Sequence, residues 1–457
     1  MSPKVKITFH GGTGSVTGAN FLLESLMGDG TKILVDCGLA QGSKKEEEIN
    51  WEPFPYNPAE MTALLVTHAH LDHIGRIPKL VRDGFKGDIY STPATKEISA
   101  LSLEDSVGLL AKEAERGNQE YLYERPDVAK SLSLWQTHDY HQPFQIGPFS
   151  IVARDAGHIL GSAMMEITLE GKKILFTGDL GNSPSPLLPD GERITDIDYL
   201  VMESVYGDRN HEGRDDRRAK LEDAIEETMR RGGTLVIPAF SIERTQEILF
   251  EIEQMIEQSR VPLVPVFVDS PLGIKVTEVY KKYRDDLNKR AREEAGSEDG
   301  IFRFPNLHLT MSTEDSKAII KANPRKIIIA GSGMSTGGRI LHHEKAYLSD
   351  PQNALLLVGY QTPGTLGRLL QDGLKQVKIL GEQITVRAKI IFISGYSGHM
   401  DSEHLLNFVH QTADTVKKVF VVMGEPKSAL FLVQRLRDYL GLNASAPVPG
   451  EGVELSW

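Results

Sequence analysis

The feature that most constrains this chain is a cluster of metal-binding residue types directly after a buried-looking strand. The strand pattern ALLVT runs into His68, His70, Asp72 and His73, all within six residues. Alternate residues of an extended segment point the same way, so His68 and His70 can reach one point in space. Asp72 and His73, in the turn into the next helix, can reach a second point beside it. Three imidazoles and a carboxylate at this spacing suit zinc; a surface histidine cluster or capping residues are the alternatives.

Three further candidates lie at predicted strand ends. His158 falls in DAGHILGSA, where small residues let the backbone come close. Asp179 falls in KILFTGDLG, and Asp36 ends the strand KILVD. A single strand-end aspartate is more often a turn or cap residue, but beside the histidine cluster a metal site is the favoured interpretation. A carboxylate between two zinc ions can bridge them, and two metals can polarise a phosphoryl oxygen and activate a water.

Composition excludes several classes of protein. At roughly 100–200 residues per domain, the 457 residues indicate about two to four domains. No apolar run approaches the roughly 20 residues that span a bilayer, which argues against a membrane protein. The start MSPKVKITFHGG has no secretory-signal pattern. Cys37 is the single cysteine, which excludes an internal disulfide and a cysteine zinc ribbon and predicts a reducing cytoplasm.

The distribution of charge bears on the partners of the chain. It carries 51 Lys+Arg against 63 Asp+Glu, a net charge of −12, which argues against a general nucleic-acid coat. Residues 206–385 carry 26 Lys+Arg and 27 Asp+Glu, so the flanking parts hold nearly all of the acidic excess. This middle segment can present a local basic face to a polyanion, and chance composition is the alternative.

The order of predicted elements indicates the fold class. Short apolar runs between Gly-rich turns predict strands at the start of the chain, and helical patterns occupy residues 96–135. From Gly207 onward strands alternate with helices, which indicates a parallel or mixed sheet covered by helices. The charged run GDRNHEGRDDRR predicts a domain break near 205–210, and residues 285–300 predict an exposed helix end and loop.

The histidine and aspartate motifs, in this order, resemble those of the metallo-β-lactamase superfamily. Further motifs resemble its β-CASP branch, which contains prokaryotic RNA nucleases and the endonuclease of the eukaryotic pre-mRNA 3′-end machinery. These motifs, which cover essentially the whole chain, are HGGTGSVTGAN, ESVYGDR, PAFSIERTQEIL, DSPLG, GSGMSTGGRILHH, GYQTPGTLGR and SGYSGHMD. No extension precedes HGGTG, so the resemblance is closest to short prokaryotic members.

That resemblance implies an α/β fold with three segments. Residues 1–205 and 386–457 would form an αββα metallo-β-lactamase sandwich. Residues 206–385 would form an inserted α/β β-CASP cap domain over the metal cleft.

Site residues are implied by the same resemblance. One zinc is expected on His68, His70, His158 and Asp179, and a second on Asp72, His73 and Asp179, with Asp36 as a supporting residue. The family also pairs an acid with a histidine, here Glu203 and His399. A carboxylate can orient an imidazole and raise its proton affinity, so that the imidazolium protonates a leaving oxygen. The implied catalytic residues are therefore Asp72, Glu203 and His399.

One position departs from the nuclease pattern. The branch ends a late strand in a histidine followed by Gly-Glu, whereas here KKVFVV runs into Met423, Gly424 and Glu425. A thioether is a poor zinc ligand, so we expect a weakened second zinc site. DNA-directed members of the branch also lack this histidine, so the change leaves RNA preference open and does not imply an inactive enzyme.

Loops of the middle segment predict a phosphate-binding surface. GSGMSTGG offers backbone N–H groups before a helix, which makes an oxyanion cradle; a tight structural turn is the alternative. Guanidinium forks and hydroxyl groups can add further contacts to phosphate. The predicted phosphate-binding residues are Arg244, Ser332, Arg339, Arg368 and Ser397.

The sequence thus predicts a cytoplasmic zinc phosphodiesterase that cleaves single-stranded RNA by metal-activated hydroxide, in RNA processing or decay. A DNA nuclease, motivated by Met423, is one alternative, and a weakly active RNA-binding scaffold is another. A small-molecule hydrolase is disfavoured because it gives the large insertion no role. Cleavage within the strand or from its 5′ end is left open. The apolar strand GVELSW suggests pairing between subunits of a homodimer.

Overall fold

The computed structural model describes residues 3–42, 44–296, 300–362 and 364–457. Two predicted segments, the exposed loop over 285–300 and the motif GYQTPGTLGR, each include residues outside this range (297–299 and 363). No helix in the described ranges is long and apolar enough to cross a membrane.

Strands and helices are numbered in chain order. The strands are β1 (Pro3–Gly11), β2 (Asn20–Ser25), β3 (Lys32–Val35), β4 (Ala63–Leu65), β5 (Asp88–Ser91), β6 (Trp135–Thr137), β7 (Phe144–Ile146), β8 (Phe149–Asp155), β9 (Ala163–Leu169), β10 (Lys172–Phe176), β11 (Tyr199–Met202), β12 (Thr234–Pro238), β13 (Val266–Asp269), β14 (Leu307–Leu309), β15 (Lys326–Ala330), β16 (Ala354–Val358), β17 (Gln376–Ile379), β18 (Glu382–Thr385), β19 (Lys389–Ile393), β20 (Lys418–Val421), β21 (Ala444–Ser445) and β22 (Gly452–Ser456). The helices are α1 (Lys44–Glu48), α2 (Leu71–Ile74), α3 (Ile77–Arg82), α4 (Pro93–Gly117), α5 (Arg125–Ser133), α6 (Arg214–Arg230), α7 (Arg244–Glu257), α8 (Pro271–Lys282), α9 (Lys289–Ala295), α10 (Thr313–Lys321), α11 (Ile340–Tyr347), α12 (Leu366–Gln371), α13 (Ser402–His410) and α14 (Pro426–Leu440). Short 3₁₀ helices lie at Ile49–Trp51, Pro58–Glu60, Arg284–Asp286 and Ser394–Tyr396.

The chain forms two compact units. The first unit takes in Met1–Ser183, Asp190–Asn210 and His399–Trp457, and the second takes in Pro184–Pro189 and His211–Gly398. The chain leaves the first unit and returns to it, which is the connectivity of an inserted domain. The predicted boundaries at 205/206 and 385/386 stay predictions.

Two seven-stranded sheets form the sandwich of the first unit. Their strand orders are β22-β1-β2-β3-β4-β5-β6 and β21-β20-β11-β10-β9-β8-β7. Buried apolar side chains of both sheets pack together between them, including Phe9, Phe149 and Phe176. Helices α2 to α5 pack on the outer face of the first sheet, and α13 and α14 pack on the second. The predicted αββα sandwich is confirmed.

Side chains along each strand alternate between two buried faces, which explains why both faces of these sheets are apolar. In β3, Ile33 and Val35 contribute to the core between the sheets, whereas Leu34 packs on the helix side. Successive side chains of a strand point to opposite faces, so a strand covered on both sides needs a continuous apolar run. At the sheet edge, β22 pairs antiparallel with β1 of its own chain, with Ile7 opposite Val453. GVELSW therefore pairs within the chain, and the homodimer stays a prediction.

The second unit is built on a six-stranded sheet of order β14-β13-β15-β12-β16-β19. Its neighbouring strands are parallel. Helices α10, α11 and α12 contribute Ile319, Ile340 and Leu370 to a buried cluster against strand residues such as Ile328 and Leu355. The predicted alternation of strands and helices over a parallel sheet is confirmed.

Candidate metal centre and active site

Candidate residues of the first unit follow the carboxyl ends of parallel strands. β3 and β4 are parallel neighbours in one sheet, as are β10, β11 and β20 in the other. Asp36 follows β3 directly and His68 comes three residues after β4. Asp179, Glu203 and Met423 lie within three residues of the ends of β10, β11 and β20. The parallel pairing therefore places these side chains at a common edge of their sheets.

A first group of metal-ligand types consists of His68, His70, His158 and Asp179. His70 Nδ1 lies 3.1 Å from His68 Nε2 and 3.2 Å from His158 Nε2. Asp179 Oδ2 lies 3.4 Å from His68 Nε2 and 3.5 Å from His158 Nε2. Zinc–nitrogen bonds of about 2.0–2.1 Å place the corners of a tetrahedron about 3.3–3.4 Å apart. The four atoms therefore have the mutual spacing that one tetrahedral ion requires.

A second group consists of Asp72, His73 and the same Asp179. His73 Nε2 lies 3.3 Å from Asp179 Oδ1 and 3.9 Å from Asp72 Oδ2. Within the described residues, neither His73 Nε2 nor Asp179 Oδ1 has a hydrogen-bond partner, although both atoms are buried. Leaving a buried polar atom unsatisfied is costly, and a cation between the two atoms would satisfy both. Asp179 thus offers one oxygen to each group.

Asp36 contacts the ring nitrogen of His73 that does not face Asp179. Its Oδ2 lies 2.7 Å from His73 Nδ1, and both residues are buried. Thr67 donates its main-chain N–H to Asp36 Oδ1 and its hydroxyl to Asp36 Oδ2, each at 2.8 Å. The supporting contact predicted for Asp36 is therefore present. Thr67 was missed by the sequence analysis, and its position directly before the histidine motif was the available signal.

The protonation of these groups suits a cation. Burial lowers the pKa of His68 and of His70 well below the ordinary value, so both imidazoles are neutral lone-pair donors. Burial also works against a charge on His73, but Asp179 and Asp36 raise the pKa of His73 well above its usual range. Burial opposes ionisation of Asp179, yet the nearby His73 and His68 hold the pKa of Asp179 well below its usual range. The neutral imidazoles of His68 and His70 beside the ionised Asp179 form a metal-binding donor set, and His73 would release its proton on binding a metal.

Glu203 and His399 meet next to Asp179. His399 Nδ1 lies 3.3 Å from Glu203 Oε1 and 3.9 Å from Asp179 Oδ2. Glu203 is fully buried, and its Oε1 accepts the main-chain N–H of Leu180 at 2.6 Å. Burial works against a charge on His399, but Glu203 and Asp179 raise its pKa to about 9. The structure thus brings the predicted pair together, with the imidazole protonated at neutral pH.

Met423 is built into the core of the first unit. Its side chain is 1% exposed and belongs to the apolar cluster between the two sheets. Its backbone is left-handed and donates to the carbonyl of Gly12 at 2.6 Å. A side chain at Gly12 would collide with the Met423 sulfur at 2.5 Å. Met423 also lines a cavity of about 10 Å³ together with Asp36 and His73, which is about the space of one water.

The predicted phosphate-binding residues lie in the second unit, and they are Arg244, Ser332, Arg339, Arg368 and Ser397. Arg339 donates to Asp269 at 2.7 Å and to two main-chain carbonyls. Arg244 pairs with Glu247 of its own helix, and Arg368 pairs with Asp372, which directly follows α12. The Ser332 hydroxyl is 3.0 Å from that of Thr336. A phosphate would compete with these acids for each arginine, and the phosphate-binding role of the set stays a prediction.

Known protein families match three parts of the chain. The metallo-beta-lactamase superfamily matches residues 16–239, and the Beta-Casp domain matches residues 245–370. The Zn-dependent metallo-hydrolase RNA specificity domain matches residues 383–447.

Several relatives align over nearly the whole chain. Ribonuclease TTHA0252 of Thermus thermophilus is 35% identical over 449 residues, which cover 98% of this chain and 100% of that protein. An RNase J-like protein of Methanocaldococcus jannaschii is 31% identical, covering 98% of this chain and 99% of that protein. The transcription termination factor FttA of Methanosarcina mazei is 30% identical, covering 99% of this chain and 72% of that protein.

A solved structure shares the fold. The crystal structure of a protein of unknown function from Enterococcus faecalis V583 aligns with a TM-score of 0.57 at 13% identity. The alignment covers 99% of this chain and 100% of that one.

Two adjoining ligand groups at the strand ends of an αββα sandwich define a metal-dependent hydrolase. Its insertion and its relatives narrow the class further: the chain belongs to the β-CASP branch of the metallo-β-lactamase superfamily. The predicted family is confirmed.

Proposed function

We propose that this protein is a zinc-dependent ribonuclease that cleaves single-stranded RNA in RNA processing or decay. The observation that carries the proposal is Asp179, whose two oxygens face two separate groups of ligands at 3.3–3.5 Å. Two adjoining cation sites are the arrangement used to cleave phosphodiesters. The names of relatives from Thermus thermophilus and Methanocaldococcus jannaschii, and the RNA specificity domain over residues 383–447, support RNA as the substrate.

Each ligand has a stated role in this proposal. His68, His70 and His158 would hold one zinc, Asp72 and His73 would hold the second, and Asp179 would join both. Bound zinc would polarise a phosphoryl oxygen and lower the pKa of a water. Asp36 accepts from Thr67 and contacts Nδ1 of His73, which fixes the ring of His73. Its Nε2 therefore points at Asp179 Oδ1, 3.3 Å away.

His399 is proposed as the proton donor to the leaving oxygen. It is protonated at neutral pH, because Glu203 and Asp179 raise its pKa to about 9 despite its burial. Glu203 is held by the N–H groups of Leu180 and Val205, so it keeps the imidazole in one orientation. A proton delivered at a fixed position is worth about 10²–10⁴ in rate.

The location and the substrate partner follow from the same proposal. We place the protein in the cytoplasm, where Cys37 would stay reduced; the cysteine is buried, and burial raises its pKa to about 12. The partner would be single-stranded RNA, with Arg244, Ser332, Arg339, Arg368 and Ser397 as the phosphate-binding set.

Two alternatives remain testable. A DNA nuclease is favoured only by Met423, which replaces the histidine expected in the nuclease branch. A non-catalytic RNA-binding scaffold has no physical need for two groups of converging ligands with unsatisfied atoms, so the geometry weighs against it.

The test is a sequencing-gel time course with zinc-loaded protein and 5′-labelled single-stranded RNA, with matched DNA and duplex RNA in parallel. We expect RNA products that disappear when a chelator is added, and slower cleavage of DNA and of the duplex. The product ladder separates internal cleavage from 5′-end trimming. Equal rates on RNA and DNA, or cleavage that persists in chelator, would refute the proposal.

A further inference from the structure

A line of aromatic and basic side chains leads away from His399 within the first unit. The Tyr206 ring centroid lies 6.4 Å from that of His399. The Arg209 guanidinium carbon lies over the Tyr206 ring, 5.5 Å from its centroid. Tyr206 also forms a β-bridge with Asp401, two residues after His399. Arg209 is therefore held in a fixed position close to the proposed proton donor.

Asp208 orients two cations side by side. Its Oδ1 accepts from Arg209 Nε at 2.9 Å, and its Oδ2 lies 3.4 Å from Lys427 Nζ. The Asp208 side chain is only 10% exposed, whereas those of Arg209 and Lys427 are 47% and 86% exposed. A guanidinium held through Nε keeps its terminal nitrogens for a second partner. Two accessible cations share one nearly buried acid, so these three side chains together carry a net positive charge on a chain of net charge −12.

Helix α14 continues the line from Lys427. Residues four apart lie on one face of a helix, and that face of α14 carries Lys427, Phe431, Arg435 and Tyr439. The two aromatic residues are exposed. The Arg435 guanidinium lies 5.5 Å from the Tyr439 ring centroid and also binds Glu403. At about 1.5 Å per residue, this stripe runs for roughly 18 Å.

Alternation of cations and aromatic rings fits a single-stranded nucleic acid. Such sites bind phosphates with basic groups and stack bases on aromatic rings. We propose that Arg209 and Lys427 together bind a backbone phosphate of the substrate strand, and that Phe431 stacks on a base beside it. This inference rests on the proposed function, since it assigns the path of the strand next to His399. Asp208 is the positioning residue for both cations, and Glu403 pairs with Arg435.

The test compares variants on two substrates. Arg209→Ala, Lys427→Ala, the double variant and Phe431→Ser are assayed on labelled single-stranded RNA and on bis(p-nitrophenyl) phosphate, a phosphodiester without a strand. Lys427 is almost fully exposed, so its truncation does not threaten the fold. The matched control is Lys417→Ala, because Lys417 also pairs with an aspartate (3.5 Å) and lies over a tyrosine ring (5.9 Å) in the first unit.

The double variant should lose about tenfold more kcat/KM on RNA than on the small diester, mainly through KM. The slope of log affinity against log salt should fall by about 0.7 for each lost phosphate contact. Phe431→Ser should weaken RNA binding by about fivefold or more without changing that slope. Lys417→Ala should behave as wild type.

Wild-type KM and salt slope on RNA in the double variant, together with wild-type RNA binding by Phe431→Ser, would overturn the inference, and the stripe would then be a face for a protein partner. Failure of the proposed function looks different, because the zinc-loaded wild type would then leave the RNA intact. In that event, fluorescence anisotropy with labelled RNA still decides: about tenfold weaker binding by the double variant supports the inference, and equal binding refutes it.

Discussion

Two buried aspartates, one in each unit, have similar positions at strand ends but different hydrogen-bond partners. Asp179 follows β10 in the first unit, and Asp269 ends β13 in the second, and each lies beside histidine nitrogens. Asp269 Oδ1 accepts from Thr310 and Arg339, and its Oδ2 accepts from Ser316 and lies 2.7 Å from His343 Nε2.

The two aspartates differ in whether both of their carboxylate oxygens have hydrogen-bond partners. Both oxygens of Asp269 have hydrogen-bond partners, whereas Asp179 Oδ1 and His73 Nε2 are buried 3.3 Å apart and neither has a hydrogen-bond partner within the described residues. A buried polar group satisfied by the protein stabilises the fold, and one that is not satisfied needs another partner. We therefore propose a structural role for Asp269 and a metal-binding role for Asp179.

The largest effect is expected from Asp179→Asn. The variant removes the carboxylate charge shared by both ligand groups, so RNA cleavage should fall by about a thousandfold or more. Asparagine keeps the size of the side chain, and thermal melts of the metal-free protein show whether the variant is folded. Initial rates and thermal melts of both proteins check this; activity within tenfold of wild type would contradict it.

Asp269→Ala should lower the free energy of unfolding. The substitution leaves Arg339 and His343 without their buried acid, and removal of one partner of a buried pair costs about 3–5 kcal/mol. Denaturant unfolding of the metal-free protein measures this cost. The matched control is Asp372→Ala, which removes an exposed partner of Arg368 and should change stability little. Equal stability of the two variants would remove the structural role of Asp269.

The pH dependence of cleavage should report His399. Its pKa is raised to about 9 by Glu203 and Asp179 against the effect of burial, so the protonated form persists up to that pH and is lost above it. The alkaline limb of kcat/KM should therefore lie near pH 9. Glu203→Gln removes one carboxylate, which lowers the pKa of His399 and moves the limb to lower pH. An unchanged limb in Glu203→Gln would show that another group is the proton donor.

The smallest effect is expected at Met423. Met423→His places an imidazole, a better zinc ligand than a thioether, next to His73, so bound zinc should rise by up to about one ion per chain. Activity should not be abolished. Metal analysis of zinc-equilibrated protein checks this, with Met61→His as a control for a histidine introduced at another buried methionine of the same unit. No gain in zinc would count against Met423 as the replaced ligand.

Much of the metal centre was accessible from sequence because its ligands occur in local patterns. His68, His70, Asp72 and His73 are close in the chain, and the strand before them fixes their directions. The αββα sandwich followed from the order of motifs, and Asp179 from its strand-end position. These features depend on spacing within one segment or on a resemblance over the whole chain, so they can be predicted without the structure.

Contacts between distant segments could not be predicted in this way. The pairing of Asp208 with Lys427 joins residues far apart in the chain, and no periodicity marks it. Arg339 stands in a Gly-rich loop motif that suggests phosphate binding, and only the structure shows its guanidinium on Asp269. Asp179 and Asp269 differ in whether their buried carboxylate oxygens have hydrogen-bond partners. This depends on which distant segments pack around each carboxylate, so no local sequence pattern shows it.

The most direct test is the zinc content of the wild type, Asp179→Asn and Asp269→Asn after equilibration with zinc and removal of the excess. The role of Asp179 as a ligand shared by two zinc ions predicts more than one and up to about two ions per wild-type chain. It also predicts loss of at least about one ion in Asp179→Asn and the wild-type content in folded Asp269→Asn. Wild-type zinc content in Asp179→Asn, or loss of zinc in a folded Asp269→Asn, would contradict it.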